Sequence, residues 1–188
     1  MHDVSIFSSQ QLPVTLFQLD ENQASWPTPH VTMEQVHGTL SCEVTAATIL
    51  ATGCDAMYTR EKNISLIVRA ADCIPILFYS EAGIVGVIHA GRRGTLAGIT
   101  RLTLEKVPKD QLYIWIGPHI CATCYEVDEH TGATFDLLTE NLHQIHEMFP
   151  AAHLEIDERC TKEDHSLHSY RREGKGCPMN YWGIKLLA

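Results

Sequence analysis

Three short apolar runs, set close together in the middle of the chain, constrain its fold more than any other feature. Ile64-Ser65-Leu66-Ile67-Val68 is followed by Ile74-Pro75-Ile76-Leu77-Phe78-Tyr79 and then by Ile84-Val85-Gly86-Val87-Ile88. The runs are short and nearly continuous rather than alternating, the pattern of strands buried on both faces. Pro75 sits near the start of its run, where a missing N–H is best tolerated. Glu81-Ala82-Gly83 reads as the turn between the second and third strands.

The flanks supply helices and further strands. Leu96, Ile99, Thr103 and Val107 recur at helical spacing, which predicts a helix from just after Gly91 to about Val107, stopped by Pro108. Phe135, Leu138, Leu142, Ile145 and Phe149 predict a second helix from about Glu129 to Met148. Leu112 to Ile116, Leu154 to Ile156 and Tyr181 to Leu187 are further strand candidates. Interleaved strands and helices put the chain in the α/β (α+β) class, with mixed sheets flanked by helices. Its 188 residues suit one domain spanning 1–188. The stretch Asn22 to Pro29 reads as a linker that sets an N-terminal hairpin apart from the main body.

A net charge of −9 argues against nucleic-acid or anionic-membrane partners, because phosphate neutralisation needs clustered cations. Arg92-Arg93 and Arg171-Arg172 can each hold one phosphate group but cannot track a backbone. No apolar run approaches the roughly 20 residues of a membrane span, and no secretory signal opens the chain. The expectation is therefore a cytoplasmic protein whose seven cysteines are all reduced.

Three segments place metal-ligating side chains at the ends of predicted elements. They are Gln35-Val36-His37-Gly38 at a strand end, Ala71-Asp72-Cys73 between two strands, and His89-Ala90-Gly91-Arg92-Arg93-Gly94 where a strand gives way to a helix. His37, Cys73 and His89 form a His₂Cys set that suits zinc with an open fourth position, or copper with an axial methionine. None of the five methionines stands in an obvious matching position. Spacing alone does not carry a metal site, and on spacing two hydrogen-bonded histidines and a buried thiol is the favoured reading.

Five segments, in order, resemble the YfiH-like or laccase-domain (multicopper polyphenol oxidase-like) family. They are Gln35 to Gly38, Asp72 to Phe78, His89 to Gly94, Ile116-Gly117-Pro118 with Cys124-Tyr125-Glu126-Val127, and Ser169-Tyr170-Arg171-Arg172-Glu173-Gly174. The resemblance covers roughly Val31 to Leu187 and leaves residues 1–30 as a divergent or shortened N-terminal segment. It implies a fold like that of the cytotoxic necrotizing factor-type cysteine hydrolases. It implies that His37, Cys73 and His89 bind zinc, with copper the less favoured metal. It also implies a purine nucleoside phosphorylase that acts on adenosine, inosine and methylthioadenosine and also deaminates adenosine. Its partners would be a small-molecule nucleoside and phosphate, and its state a monomer or weak homo-oligomer. Where the family carries tryptophan this chain has Arg92, and where it carries a closing Gly-Arg pair this chain has Gly176-Cys177.

Arg93, at the expected helix start, is the candidate for phosphate contact and for steadying charge in the reaction. Arg171 and Tyr170 are candidates for substrate or phosphate binding, although a tyrosine there also suits a core position. One of Arg171 and Arg172 is expected in a structural ion pair. Asp72 reads as a turn or cap aspartate, with orientation of a ligand histidine or service as a general base as the alternatives. Cys121 and Cys124 form a lone Cys-x-x-Cys, read as two reduced loop thiols in the absence of a second pair. His143 and His146 read as a solvated helix face with Asn141 and Glu147 beside them. Three alternatives to the nucleoside reading stay open: amide hydrolysis by a Cys73–His89 pair in peptidoglycan-precursor editing, copper polyphenol oxidation, and metal binding without catalysis.

Overall fold

The structure, a computed structural model, describes residues 12–19 and 26–188. The three apolar runs become β6 (Ser65–Ala70), β7 (Ile74–Ser80) and β8 (Ile84–Ala90). Every residue of β7 and β8 is buried. The two strands form an antiparallel hairpin, and β7 pairs on its other edge with antiparallel β9 (Leu112–Ile116). Adding β3 (Ser41–Glu43), β5 (Ala56–Thr59) and β12 (His153–Ile156) gives a six-stranded sheet of order β12-β9-β7-β8-β5-β3. β6 joins a second sheet, of order β1-β13-β6-β2-β4, with β1 (Val14–Leu19), β2 (His30–Met33), β4 (Leu50–Ala51) and β13 (Asn180–Leu186). Both sheets mix parallel and antiparallel pairs.

Side-chain alternation explains why these strands are apolar on both faces. Leu77 of β7 and Val85 and Val87 of β8 pack with Leu66, Val68, Trp115 and Trp182 between the two sheets. Ile74, Ile76 and Phe78 point the other way, against Ile99, Leu104, Leu137 and Ile145 of the helices. The central strands β9, β7 and β8 of this sheet thus form a middle layer buried on both faces.

The helices differ from the sequence expectation in two places. The run from Gly91 to Val107 is two helices, α1 (Arg92–Leu96) and α2 (Ile99–Leu104). Gly98 separates them at φ 84 in the left-handed region, which glycine enters without a Cβ penalty. The long helix starts at Leu137 rather than Glu129, as α3 (Leu137–Met148). The Asp136 carboxylate accepts from the Thr139 N–H at 3.0 Å and caps it. The preceding residues form a small hairpin, β10 (Glu126–Asp128) and β11 (Ala133–Thr134). Its turn is held by Asp128, which accepts from the His130 and Thr131 N–H groups.

Asn141 is also not a surface residue. It is fully buried, accepts from Thr100 Oγ1, and donates to Thr95 Oγ1 and the Leu137 carbonyl. That network ties α1 and α2 to α3, while His143 and His146 are exposed as expected. The last helix is the single turn α4 (Tyr170–Glu173).

Two further expectations are corrected. β1 does not belong to a detached N-terminal hairpin, because it pairs along its whole length with β13; part of the linker-like stretch, residues 22–25, lies outside the described residues. The cysteines are not all reduced: Cys42 and Cys54 form a disulfide. The parallel pairing of β3 with β5 brings the turn before β5 alongside β3. Among the described residues no helix is long and apolar enough to cross a membrane.

The three-layer packing makes a direct prediction. Leu77, 1% exposed between the sheets, leaves a cavity when cut back, so Leu77→Ala should cost about 2–5 kcal/mol. Leu96, 63% exposed, should lose under about 0.5 kcal/mol on the same change. Urea denaturation of both variants measures the difference.

Candidate metal centre

β7 and β8 pair with Ile74 opposite Ala90. Cys73, one residue before β7, therefore meets Gly91, one residue after β8. The approach is close: a Cβ on Gly91 would lie 2.9 Å from Cys73 Sγ and 2.9 Å from His37 Cδ2. Glycine at this position leaves room for the thiol and the imidazole to converge.

His89 is buried at the end of β8, in line with Val85 and Val87. His37 is exposed and lies beyond the end of β2, in a loop rather than at a strand end, with a left-handed backbone at φ 59. The two rings meet edge to face with centroids 4.8 Å apart. The ligating atoms of His37, Cys73 and His89 all lie within 4.8 Å of one another.

A residue absent from the sequence reading organises this site. Asp55, fully buried just before β5, accepts from three consecutive backbone N–H groups. Val36 and Gly38 donate to Oδ2 at 3.2 and 2.6 Å, and His37 donates to Oδ1 at 2.9 Å. His89 Nδ1 also donates to Oδ1, at 2.9 Å. With Nδ1 committed to Asp55, Nε2 is the nitrogen left to face Cys73 and His37, an arrangement typical of ligand histidines.

The electrostatics follow from this packing. Burial alone would raise the Asp55 carboxyl, but His89 and the backbone donors hold it below the ordinary carboxylate range. Burial would likewise raise the Cys73 thiol; hydrogen bonds and charge from His37 and His89 instead bring it down to about 7. His89 would be lowered by burial, and Asp55 and Cys73 raise it to about 9. Without a metal, these shifts favour a thiolate beside an imidazolium.

Several of the other sequence candidates surround this triad. Asp72 is buried at φ 92, where it accepts from Thr161 Oγ1 at 2.7 Å and from the Arg171 N–H at 2.6 Å. It anchors chain segments, as a turn or cap aspartate does, while Asp55 orients the histidine. Arg171 reaches over the Tyr125 ring, 5.5 Å from its centroid, and donates to the Glu126 carbonyl. Arg172 makes the structural contacts: it pairs with Glu173 and donates to the carbonyls of Thr161, Lys162 and Leu167.

Arg93 is exposed on α1. Its neighbour Arg92 lies over Phe135, 5.7 Å from the ring centroid. Tyr170 is neither core nor in a strand; it is 58% exposed at the start of α4. Cys121 and Cys124 group with Cys160 and Glu163 instead of with the triad.

Tyr125 and Phe135 are the other residues whose importance the sequence did not reveal. They meet edge to face, with centroids 6.4 Å apart. Burial and the nearby Cys73 raise the Tyr125 hydroxyl, against the opposing charges of Arg92 and Arg171. The available signal was the position of Tyr125 directly after Cys124 in a recognised segment.

A family model described as multi-copper polyphenol oxidoreductase laccase matches residues 17–149. The chain belongs to this family. Among its laccase-domain relatives, a purine nucleoside phosphorylase named YlmD from Geobacillus stearothermophilus is 32% identical, over 78% of this chain and 68% of that protein. A purine nucleoside phosphorylase of Campylobacter jejuni is 30% identical, over 64% of this chain and 62% of that protein. A protein named adenosine deaminase RL5, from an unknown prokaryotic organism, is 37% identical over 55% of this chain and 43% of its own length. The chain thus spans under two thirds of some of these relatives.

The crystal structure of Geobacillus stearothermophilus YlmD superposes with a TM-score of 0.76 at 28% identity, covering 85% of this chain and 74% of that one. A Neisseria meningitidis family member superposes with a TM-score of 0.74 at 26% identity, covering 85% and 76%. The α/β class with mixed sheets and the family resemblance are both borne out.

The donor set of this laccase-domain chain fits a single transition-metal ion. Two imidazoles and a readily ionised thiol converge, one imidazole has its tautomer fixed, and Gly91 leaves the space between them clear. The four described methionines pack into apolar clusters.

In metal-stripped protein, alkylation of Cys73 by iodoacetamide, followed on its peptide by mass spectrometry, should rise with a midpoint near pH 7. Asp55→Asn takes away the charge that holds His89 protonated and should move that midpoint upward. A wild-type midpoint in the ordinary thiol range would contradict the thiolate–imidazolium pair.

Proposed function

We propose that the protein is a zinc-dependent purine nucleoside enzyme that phosphorolyses adenosine, inosine and methylthioadenosine and deaminates adenosine. His37, Cys73 and His89 hold the metal. The observation that carries this reading is the convergence of two imidazoles and one thiol within 4.8 Å, in a family whose named relatives include purine nucleoside phosphorylases and an adenosine deaminase.

Zinc bound by three side chains would supply Lewis acidity at its open fourth position. The chain itself supplies the remaining functions. Asp55 holds His89 with Nε2 forward. Tyr125 and Phe135 offer aromatic surface on which a purine stacks. Tyr125 stays protonated and can donate to a ring nitrogen. Arg171, with Arg92 across the same aromatic pair, places positive charge where phosphate or a developing anion would sit. Arg93 is a further guanidinium for phosphate on the same helix as Arg92.

A second reading has a specific observation behind it. Cys73, His89 and Asp55 line up as thiolate, imidazolium and buried carboxylate, the order of a nucleophilic triad that cleaves amides. A thiolate bound to zinc cannot act in this way, so metal content separates the two readings.

Elemental analysis and adenosine phosphorolysis assays on the same samples provide the test. Cys73→Ala should hold one equivalent of zinc fewer than wild type and lose at least about 100-fold in kcat/KM. Unchanged zinc in the variant would refute the ligand assignment, while full amide-cleaving activity in zinc-free wild type would establish the thiol mechanism. Zinc affinity should also depend on pH. Between about 7 and 9 the metal-free site carries one proton, on His89, that binding must expel. Affinity should therefore rise about tenfold per pH unit across that range and level off above it, as read by competition with a chromophoric chelator.

A further inference from the structure

The Cys-x-x-Cys of the sequence is not alone in the fold. Cys121 precedes and Cys124 ends a 3₁₀ turn, Ala122–Cys124, closed by Cys124 N–H and Tyr125 N–H donating to the Cys121 carbonyl. A parallel β-bridge between His119 and Cys160 brings in a third thiol from the segment after β12. His119 N–H donates to the Arg159 carbonyl and Thr161 N–H to the His119 carbonyl, fixing the register of the two segments. Glu163 follows one turn later, its N–H donating to the Cys160 carbonyl. The Sγ atoms of Cys121, Cys124 and Cys160 and a carboxylate oxygen of Glu163 all lie within 4.8 Å of one another.

We propose that Cys121, Cys124, Cys160 and Glu163 form a second, structural zinc site, separate from the His37–Cys73–His89 centre. The donor number matches. Four protein ligands close a tetrahedron and leave no position for substrate, which is how structural zinc differs from catalytic zinc. The size matches as well. Zinc–sulfur bonds of about 2.3 Å place tetrahedral sulfurs about 3.8 Å apart, so the side chains need to close by no more than about an ångström on binding. One backbone donor already meets a sulfur of the group: Cys121 N–H donates to Cys160 Sγ at 3.3 Å. Thiols at this spacing can also oxidise in pairs, but a disulfide would use two of the three and leave Glu163 without a role.

The location gives the site a purpose. Cys124 is followed by Tyr125, whose hydroxyl is near enough to Cys73 to feel its charge. Cys160 is followed by Thr161, whose hydroxyl donates to Asp72, and Asp72 in turn holds the N–H of Arg171. Ile120 N–H donates to the Asp72 carbonyl from the other segment. A metal at the four ligands staples these two segments together and so fixes Tyr125 and Arg171 beside the nucleoside centre. The zinc acts through them as a positioning element and touches no substrate.

The site does not depend on the catalytic reading, and the test keeps the two apart. Wild type should carry about two zinc ions per chain. Cys160→Ser and Cys124→Ser should each retain about one, and Cys73→Ala should also retain about one, lost from the other site. If Cys160→Ser fails to fold, cobalt titration of the Cys73→Ala protein decides the question. That variant has no thiolate at the first centre, so a thiolate-to-cobalt charge-transfer band with the intensity of three thiolates can come only from the second. The staple also predicts a lower Tm for Cys124→Ser than for wild type, and a KM for adenosine that rises more than kcat falls. Zinc content unchanged in both serine variants, a cobalt band absent from Cys73→Ala, or a disulfide among these cysteines in non-reduced peptide maps would overturn the proposal.

Discussion

The arrangement depends on one buried carboxylate. Asp55 has no contact with solvent, a position that is costly for a charge unless its lone pairs are filled. Four donors fill them, three from the backbone of the His37 loop and one from the ring of His89. The same bonds hold two of the three donor side chains. They bend the backbone at His37 into the left-handed region, which a residue bearing a Cβ enters at a cost, and they choose the tautomer of His89. The Asp55 carbonyl adds a further tie, accepting from the His89 N–H at 2.7 Å. A loop and a strand distant in sequence are thereby held together by one side chain.

The third donor is positioned by sheet register and by a second acid. Cys73 falls beside Gly91 because β7 and β8 pair with Ile74 opposite Ala90. Asp72, immediately before it, carries the connection outward to Thr161 and to the backbone of Arg171. The segment from 160 to 172 has little regular structure, yet the Arg172 guanidinium satisfies the carbonyls of Thr161, Lys162 and Leu167. Irregular backbone of this kind is tolerated near a core only when its polar groups are paired. The result is a firm wall beside the site without a helix or strand to build it.

What was legible in the sequence follows from this division. β6, β7, β8 and β9 could be read because burial on both faces writes itself directly into composition. His37, Cys73 and His89 could be read as candidates because they stand at the ends of, or between, such elements. Asp55 could not, because its partners are mainly backbone N–H groups, which carry no residue type to recognise. The start of α3 was misplaced because Phe135 fits the helical period while Asp136, a cap, ends the hairpin before it. Gly98 broke a helix whose apolar spacing continued across it. Cys160 stayed unconnected to Cys121 and Cys124 because a single β-bridge between irregular segments leaves no periodic trace.

Arg92 and Arg171 bear on what the site can attract. The Arg92 guanidinium lies over the Phe135 ring, 5.7 Å from its centroid, which places a charge beside an aromatic surface. Arg171 does the same over Tyr125. The chain as a whole is strongly acidic, with a net charge of −9, and its long-range field repels anions. Recruitment of an anionic nucleophile such as phosphate therefore has to come from charge held within a Debye length of the site, roughly 8–10 Å at physiological salt. Two guanidiniums flanking a pair of aromatic rings, near the His37–Cys73–His89 triad, would provide that local charge. Under the proposed reading, the aromatic surface would suit the uncharged purine and the guanidiniums the anion, so the same four side chains would serve both halves of a phosphorolysis.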